Sequence, residues 1–84
     1  MKKINELKKF LYENNITLKT LAEKVCKIDS TIPKYGKGAY SYWINGKRKW
    51  PGNVAFAVSR VINCEISAEC LIKRDYIKDN RLDR

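Results

Sequence analysis

The sequence predicts an all-α fold, a compact domain of five short helices. Apolar residues recur at helical spacing in three segments of the chain, and Thr17 and Ser67 are suited to cap two of the helices. The chain has 84 residues, the length of one domain, and no repeat or linker divides it. A domain of this size buries only about 60–65% of its unfolded surface, so we expect an economical core.

The first helix is predicted over residues 3 to 14. Its large apolar side chains fall on one stripe, at Ile4, Leu7, Phe10 and Leu11. The lysines lie outside that stripe, as in an amphipathic core helix with a solvated face. Asn14-Asn15 ends the helix.

The second helix is predicted to begin at Thr17 and to end near Cys26 or Lys27. The Thr17 hydroxyl can accept a hydrogen bond from a free N–H of the first turn. Ile16 before this cap and Leu21 after it have the spacing of a hydrophobic staple. The inward face is predicted to hold Leu18, Leu21, Ala22 and Val25.

A connection over residues 27 to 36 follows, because Pro33 interrupts a helix and favours extended geometry before it. We expect Ile28 and Ile32 to pin this loop to the core. The third helix is predicted from about Lys37 to Trp43. It ends in the turn Ile44-Asn45-Gly46, since Asn and Gly both tolerate positive φ.

Two glycines lie at the entry to the third helix, where glycine costs on the order of 1 kcal/mol against alanine. Either they serve an unusual turn or they permit close approach of the backbone to a partner surface. We favour the turn for Gly36 and close approach for Gly38.

The fourth helix follows Pro51 and is the most apolar, with a stripe from Val54 to Ile62. Ser67 is predicted to cap a short fifth helix that ends near Lys73, with Glu69 in its first turn. Residues 1–74 form the predicted domain. Residues 75–84 form a charged tail, which we expect to fray unless a partner subunit orders it.

The charge of the chain favours an anionic partner. The formal net charge is +9 and histidine is absent. No acidic residue occurs between Ser30 and Cys64, a window that contains six cations: Lys34, Lys37, Lys47, Arg48, Lys49 and Arg60. Nucleic acid is the first candidate and a membrane surface the second, against the simpler interpretation of solvated lysines on a basic domain.

Several classes of protein are disfavoured. No apolar run approaches a membrane span, and no apolar segment after Lys2-Lys3 suggests a secretory signal, so we expect a cytoplasmic protein. The three cysteines suggest free, buried thiols rather than a metal site. Without histidine or a nucleophile motif we expect no enzyme, cofactor, metal or small-molecule effector.

Two blocks carry a family resemblance. The first is Thr17-Leu18-x-x-Leu21-Ala22-x-x-Val25, and the second runs from Tyr40 through Trp43-Ile44-Asn45-Gly46-Lys47-Arg48 to Pro51. Together with residues 66–71 and Asp75-Tyr76-Ile77, they resemble the helix-turn-helix domain of phage Cro/CI-type repressors, including small Cro-like and YdaS-like proteins. The resemblance covers roughly residues 5 to 77. It implies a lambda-repressor-like fold that binds operator double-stranded DNA as a homodimer, in the cytoplasm of a bacterial or phage-infected cell.

The resemblance also implies roles for individual residues. Base edges in the major groove would face Lys37, Gly38, Ser41 and Tyr42. Phosphates would be contacted by Thr17, Lys19, Lys34, Lys47, Arg48 and Lys49. Tyr40 and Trp43 would belong mainly to the core, and the fifth helix with the tail would form the dimer. The connection between the second and third helices is several residues longer than the family's three to four.

Recognition of a DNA sequence by the third helix would depend on few side chains. Lys37 suits guanine N7 and O6, Ser41 suits either purine, and Tyr42 can act by contact or through water. We therefore expect moderate specificity, partly from DNA shape, in a small transcriptional repressor. The alternative is a protein-interaction module on the same scaffold, such as an antitoxin or a phage-encoded inhibitor with an acidic protein partner.

Overall fold

A computed structural model describes residues 3–79 of the chain. Within this range the fold is mostly helical, with five helices and one very small antiparallel sheet of two strands. The elements are β1 (Lys3–Asn5), α1 (Glu6–Glu13), α2 (Leu18–Ile28), α3 (Lys37–Ile44), α4 (Gly52–Val61), α5 (Ala68–Lys73) and β2 (Ile77–Asp79). The prediction of five helices is confirmed, and the sheet is an addition to it.

The sheet corrects the start of the first helix. Residues 3–5 are a strand whose Ile4 lies opposite Lys78 of β2. Asn5 is the N-cap of α1: its backbone is extended and its side chain accepts a hydrogen bond from Lys8 N at 2.9 Å. Asparagine is a strong N-cap residue, so it stops the helix where the apolar stripe alone would continue it.

The two caps predicted from sequence are present. Thr17 Oγ1 accepts from Thr20 N at 3.1 Å at the start of α2. Ser67 Oγ accepts from Cys70 N at 3.1 Å at the start of α5, which ends at Lys73 as predicted. Each hydroxyl satisfies an N–H that has no partner inside its helix.

The connection between α2 and α3 is residues 29–36. Asp29 accepts hydrogen bonds from the backbone N–H of Thr31 at 3.0 Å and from its hydroxyl, and these bonds lower the pKa of the Asp29 carboxyl. Ile32 is buried as predicted, but Ile28 is 40% exposed. The expectation that both isoleucines pin the loop is therefore wrong for Ile28, which lies on the outer side of the last turn of α2.

Aromatic side chains from separate segments meet in the core. Trp43 lies edge-on to Tyr40, with ring centroids 5.1 Å apart, and to Tyr35 at 5.0 Å. Trp50 is buried beside Trp43, with centroids 5.7 Å apart. The assignment of Tyr40 and Trp43 to the core is confirmed, because both are buried.

The first part of the predicted tail packs onto the domain. Tyr76 is fully buried, and Ile77–Asp79 form β2 against β1. Residues 75–79 thus differ from the expectation of a fraying tail. Their register is set by β1, which the sequence pattern did not reveal. The rest of that tail, including Leu82, lies outside the described residues.

The cysteines do not share one environment. Cys26 and Cys70 are half-buried, whereas Cys64 is exposed, so the prediction of three buried thiols is wrong for Cys64. Cys64 lies in the turn after α4 with φ of 61°, and this turn directs its side chain away from the core. In residues 3–79, no helix is long and apolar enough to cross a membrane.

Candidate nucleic-acid interface

α3 has one buried and one exposed side. Tyr40, Trp43 and Ile44 are buried in the core. The opposite side has the helical spacing i, i+1, i+4, i+5 and i+8, and its residues are exposed or half-buried: Lys37, Gly38, Ser41, Tyr42 and Asn45. The four residues predicted to face bases therefore share one accessible stripe.

Gly38 has no packing reason to be glycine inside this domain. A Cβ placed on Gly38 would meet nothing within 4 Å, and its backbone φ is not positive. Glycine at a helix position costs on the order of 1 kcal/mol against alanine. Residues 3–79 thus give no internal reason for glycine at this position, and close approach by an external surface stays a prediction.

Asn45, predicted from sequence only as part of the turn after the third helix, organises the C-terminal end of the stripe. Its Nδ2 donates to Ser41 O at 2.9 Å and lies 3.3 Å from Ser41 Oγ. Lys8 of α1 donates from Nζ to Asn45 Oδ1 at 3.2 Å. The Ser41 hydroxyl is thus oriented by a neighbour, and Lys8 joins the cations near α3.

Both ends of the described chain hold the C-terminal end of α3. Asn5 Nδ2 donates to Ile44 O at 2.7 Å, and the Tyr76 hydroxyl lies 2.8 Å from Trp43 O and 3.0 Å from Ile44 O. Trp50 Nε1 donates to the Tyr76 hydroxyl at 3.0 Å. These bonds satisfy Ile44 O, a free carbonyl of the last helical turn, and add a second partner to Trp43 O, which already accepts from Gly46 N at 3.1 Å.

The turn after α3 is fixed in the same way. Arg74 donates from its guanidinium to Gly46 O at 3.0 Å. Gly46 has φ of +75°, and an added Cβ would lie 2.9 Å from Ile77 Cδ1. Glycine is needed here for its left-handed conformation, whereas the end of the Ile77 side chain could move to make room for a Cβ. The turn directs the run Lys47–Lys49 to the surface, where all three side chains are exposed.

Tyr42 is coupled to this basic run. Tyr42 is 50% exposed, and its ring lies under the Arg48 guanidinium, with 5.3 Å between Cζ and the ring centroid. A cation over an exposed ring is favoured by about 0.5–1 kcal/mol. The pair arranges one predicted base contact and one predicted phosphate contact side by side.

Three predicted contacts meet at the other end of α3. Lys19, Lys34 and Lys37 line one depression of about 240 Å³ between α2 and the start of α3. Tyr35 and Gly36 form part of its wall, and Glu23 also lines it. Gly36 caps α3 without a side-chain hydrogen bond, so the positive end of the helix dipole adds to the lysine charge.

Thr17 differs from the other predicted phosphate contacts. Its hydroxyl accepts from Thr20 N and donates to Thr20 Oγ1 at 3.0 Å. Both hydrogen-bonding functions are therefore used within α2. Thr17 shares a groove with Ser41, so it lies on the same side of the molecule as the stripe of α3.

The arrangement can hold a polyanion. Cations lie at both ends of α3, which is about 12 Å long at 1.5 Å per residue.

Among residues 3–79 there is no group of three cysteine, aspartate or glutamate side chains placed to hold a metal ion.

No protein-family model matches this sequence, and neither a curated protein nor a solved structure matches it. The geometry and charge of the described residues are therefore the basis for assigning a function.

Proposed function

We propose that this protein binds double-stranded DNA in a sequence-specific manner and regulates transcription as a small repressor. One observation carries the proposal: Lys37, Gly38, Ser41 and Tyr42 share one accessible stripe of α3, with basic residues at both ends of the helix. In this proposal α2 and α3 form a helix-turn-helix unit with a lengthened turn, and α3 enters the major groove.

Different groups of residues perform different parts of the recognition. Lys34 and Lys19 at one end of α3, and the run Lys47–Lys49 at the other, neutralise phosphates and fix the position of the helix on DNA. Lys37 and Ser41 then reach the donor and acceptor patterns of the bases. Gly38 lets the helix backbone approach the groove closely.

The proposal includes a homodimer that uses α5. Ile72 of α5 is 40% exposed, and an apolar side chain of this size is suited to an interface between subunits. Tyr76 is excluded from that interface because it is buried in its own domain. We expect sedimentation at micromolar concentration to give a dimer, and Ile72→Asp to give a monomer. A wild-type monomer at that concentration would contradict this part of the proposal.

The deciding experiment is selection of bound duplexes from a randomised DNA pool, followed by sequencing. We expect an inverted repeat with half-sites about one helical turn apart. Lys37→Ala is expected to relax the selected sequence, with a loss of roughly 1–3 kcal/mol on the best site. Lys27→Ala is the matched control, because Lys27 is an exposed lysine at the last turn of α2 and outside the proposed interface.

Two other outcomes are informative. A single half-site would retain the DNA function and remove the dimer. Retention of DNA at low salt without any enriched sequence would contradict the proposed function. The charge would then be generic, and an acidic protein partner on the same scaffold would become the leading explanation.

A further inference from the structure

A second concave surface lies where α1, α2 and α3 meet. It is a groove of about 490 Å³, within the range of roughly 300–1,000 Å³ that is typical of small-molecule sites. Leu11 and Ile44 are buried and form its floor, while the half-buried Ile16 and Leu18 form a wall. Tyr12 is 85% exposed at the rim. The groove thus offers an apolar bed with one exposed aromatic ring.

The charge in the groove has one sign. Lys8 is the one charged side chain among its lining residues, and the described lining contains no carboxylate. Lys8 Nζ donates one proton to Asn45 Oδ1, which leaves two protons for an anion. An adjoining depression shares Lys8, Tyr12 and Asn45 and adds Lys9. The end of the groove at Lys8 is therefore cationic, and the floor is apolar.

The length of the groove limits its occupant. Along α1 it extends from Lys8 to the turn at Asn15, a distance of about 10 Å at 1.5 Å per residue. A partner helix of three turns spans about 16 Å. The groove therefore fits a small molecule better than a docked helix.

We propose that this groove binds a small organic anion with an apolar ring or branched body. The body lies on Leu11 and Ile44 and against Tyr12, and the acid group pairs with the Lys8 ammonium. The groove also includes Ser41, which belongs to the proposed DNA interface. A bound anion would then compete with DNA, a consequence that rests on the proposed function.

The test uses anilinonaphthalene sulfonate as the probe, in a fluorescence titration of the full chain without DNA. We expect saturation at one probe per chain and a raised midpoint of thermal unfolding, since a ligand of the native state stabilises it. The neutral analogue phenylnaphthylamine is expected to bind several-fold more weakly.

Three variants locate the site. We expect Lys8→Gln to weaken binding of the sulfonate about fivefold, with little effect on the neutral analogue. Tyr12→Ala is expected to weaken both probes several-fold. Lys24→Gln removes the same charge from an exposed position of α2 outside the groove, and it should leave both affinities unchanged. Lys8 and Tyr12 are exposed, so both variants should retain the fold.

Several results would overturn the assignment. These are equal affinity for the charged and neutral probes, an unfolding midpoint that falls with the probe, or Lys8→Gln and Tyr12→Ala both without effect. If poly-glutamate shifted the amide resonances of the groove and the sulfonate did not, the site would belong to an acidic peptide instead. A failed DNA selection with normal probe binding would remove the proposed function and leave the groove assignment standing.

Discussion

At the scale of the single residue, a substitution of Gly38 should affect the stability of the fold and the affinity for DNA in opposite directions. A Cβ at this position meets no atom within 4 Å, so Gly38→Ala should raise the free energy of unfolding by up to about 1 kcal/mol through helix propensity. The added methyl group would lie between α3 and the base edges in the major groove of the DNA. We therefore expect weaker binding to the selected DNA site, measured by titration beside a urea melt.

Gly52→Ala provides the control for Gly38. Gly52 is the first residue of α4, and a Cβ there also meets nothing within 4 Å. Its substitution is expected to be neutral or stabilising, with unchanged DNA affinity. If Gly38→Ala bound DNA as tightly as the wild type, the close-approach explanation for this glycine would be rejected.

Two buried tyrosines should respond oppositely to loss of the hydroxyl. Tyr40 is fully buried and its hydroxyl has no hydrogen-bond partner among residues 3–79, whereas the Tyr76 hydroxyl has three. We expect Tyr40→Phe to raise the free energy of unfolding by about 1 kcal/mol, because an unsatisfied buried hydroxyl is costly. Tyr76→Phe should lower it by about 1–3 kcal/mol, since it leaves buried partners unsatisfied.

The Tyr40 substitution also has a pH signature. Burial, with smaller contributions from Cys26 and Tyr35, raises the pKa of Tyr40 to about 12 from an ordinary value of 10.0. The folded state therefore holds this proton more tightly than the unfolded chain does. The stability that the folded state gains by holding the Tyr40 proton is complete below pH 10 and is lost as the pH rises towards 12. In urea melts from pH 8 to 11.5, the advantage of Tyr40→Phe should grow with pH; a constant difference would contradict the assignment.

At the scale of the element, the C-terminal end of α3 is held by Asn5 of β1 and by Tyr76, the residue before β2. The pairing of β1 with β2 brings Asn5 and Tyr76 to the same end of α3, where both side chains are hydrogen-bonded to Ile44 O. An eight-residue helix has little stability of its own, so its orientation depends on such tertiary contacts. We therefore expect the pairing of the two strands to fix the position of the α3 stripe that is proposed to contact the bases.

Asn5→Ser tests this dependence without adding charge. Serine is also a strong N-cap residue, so α1 should keep its start, but its shorter side chain loses the hydrogen bond to Ile44 O. We expect a loss of about 1 kcal/mol in stability and a smaller ratio of specific to non-specific DNA affinity. Both affinities are to be measured well below the unfolding temperature.

Asn14→Ser is the control for this change. Asn14 Nδ2 donates to Phe10 O at 2.8 Å, a side-chain hydrogen bond of the same kind that does not touch α3. This variant should lose stability without a change in the affinity ratio. Equal ratios in the two variants would show that Asn5 stabilises the fold but does not position α3.

The elements that the sequence predicted well are those with local signals. Thr17 and Ser67 marked helix starts because a cap is a short-range hydrogen bond. The strand Lys3–Asn5 was missed, because β1 exists only through its pairing with residues more than seventy positions away. The order of Tyr76 was missed for the same reason: its partners Trp43 and Trp50 are distant in sequence.

The candidate site was predictable in part. The family resemblance implied that Lys37, Gly38, Ser41 and Tyr42 face the same way, and the structure places all four on one stripe of exposed or half-buried residues. The links from Lys8 through Asn45 to Ser41 cross from α1 to α3, so no local pattern could reveal them. Their roles in binding remain predictions.

At the scale of the whole molecule, charge and oligomeric state can be tested together. A formal charge of +9 makes any nucleic-acid binding sensitive to salt. If about six to eight phosphates are neutralised per dimer, the logarithm of the association constant should fall against the logarithm of salt concentration with a slope near −5 to −7.

The effect of Lys49→Ala on the slope of the salt dependence shows how many subunits bind the DNA. Lys49 is exposed in the basic run after α3, and its removal deletes one phosphate contact per subunit. In a dimer the slope should become shallower by about 2, in a monomer by about 1, because each contact contributes about 0.9. Affinity should fall alike for all DNA sequences, whereas Lys27→Ala should leave the slope intact. An unchanged slope in Lys49→Ala would remove Lys49 from the phosphate contacts, since a lysine that releases no counterion neutralises no phosphate.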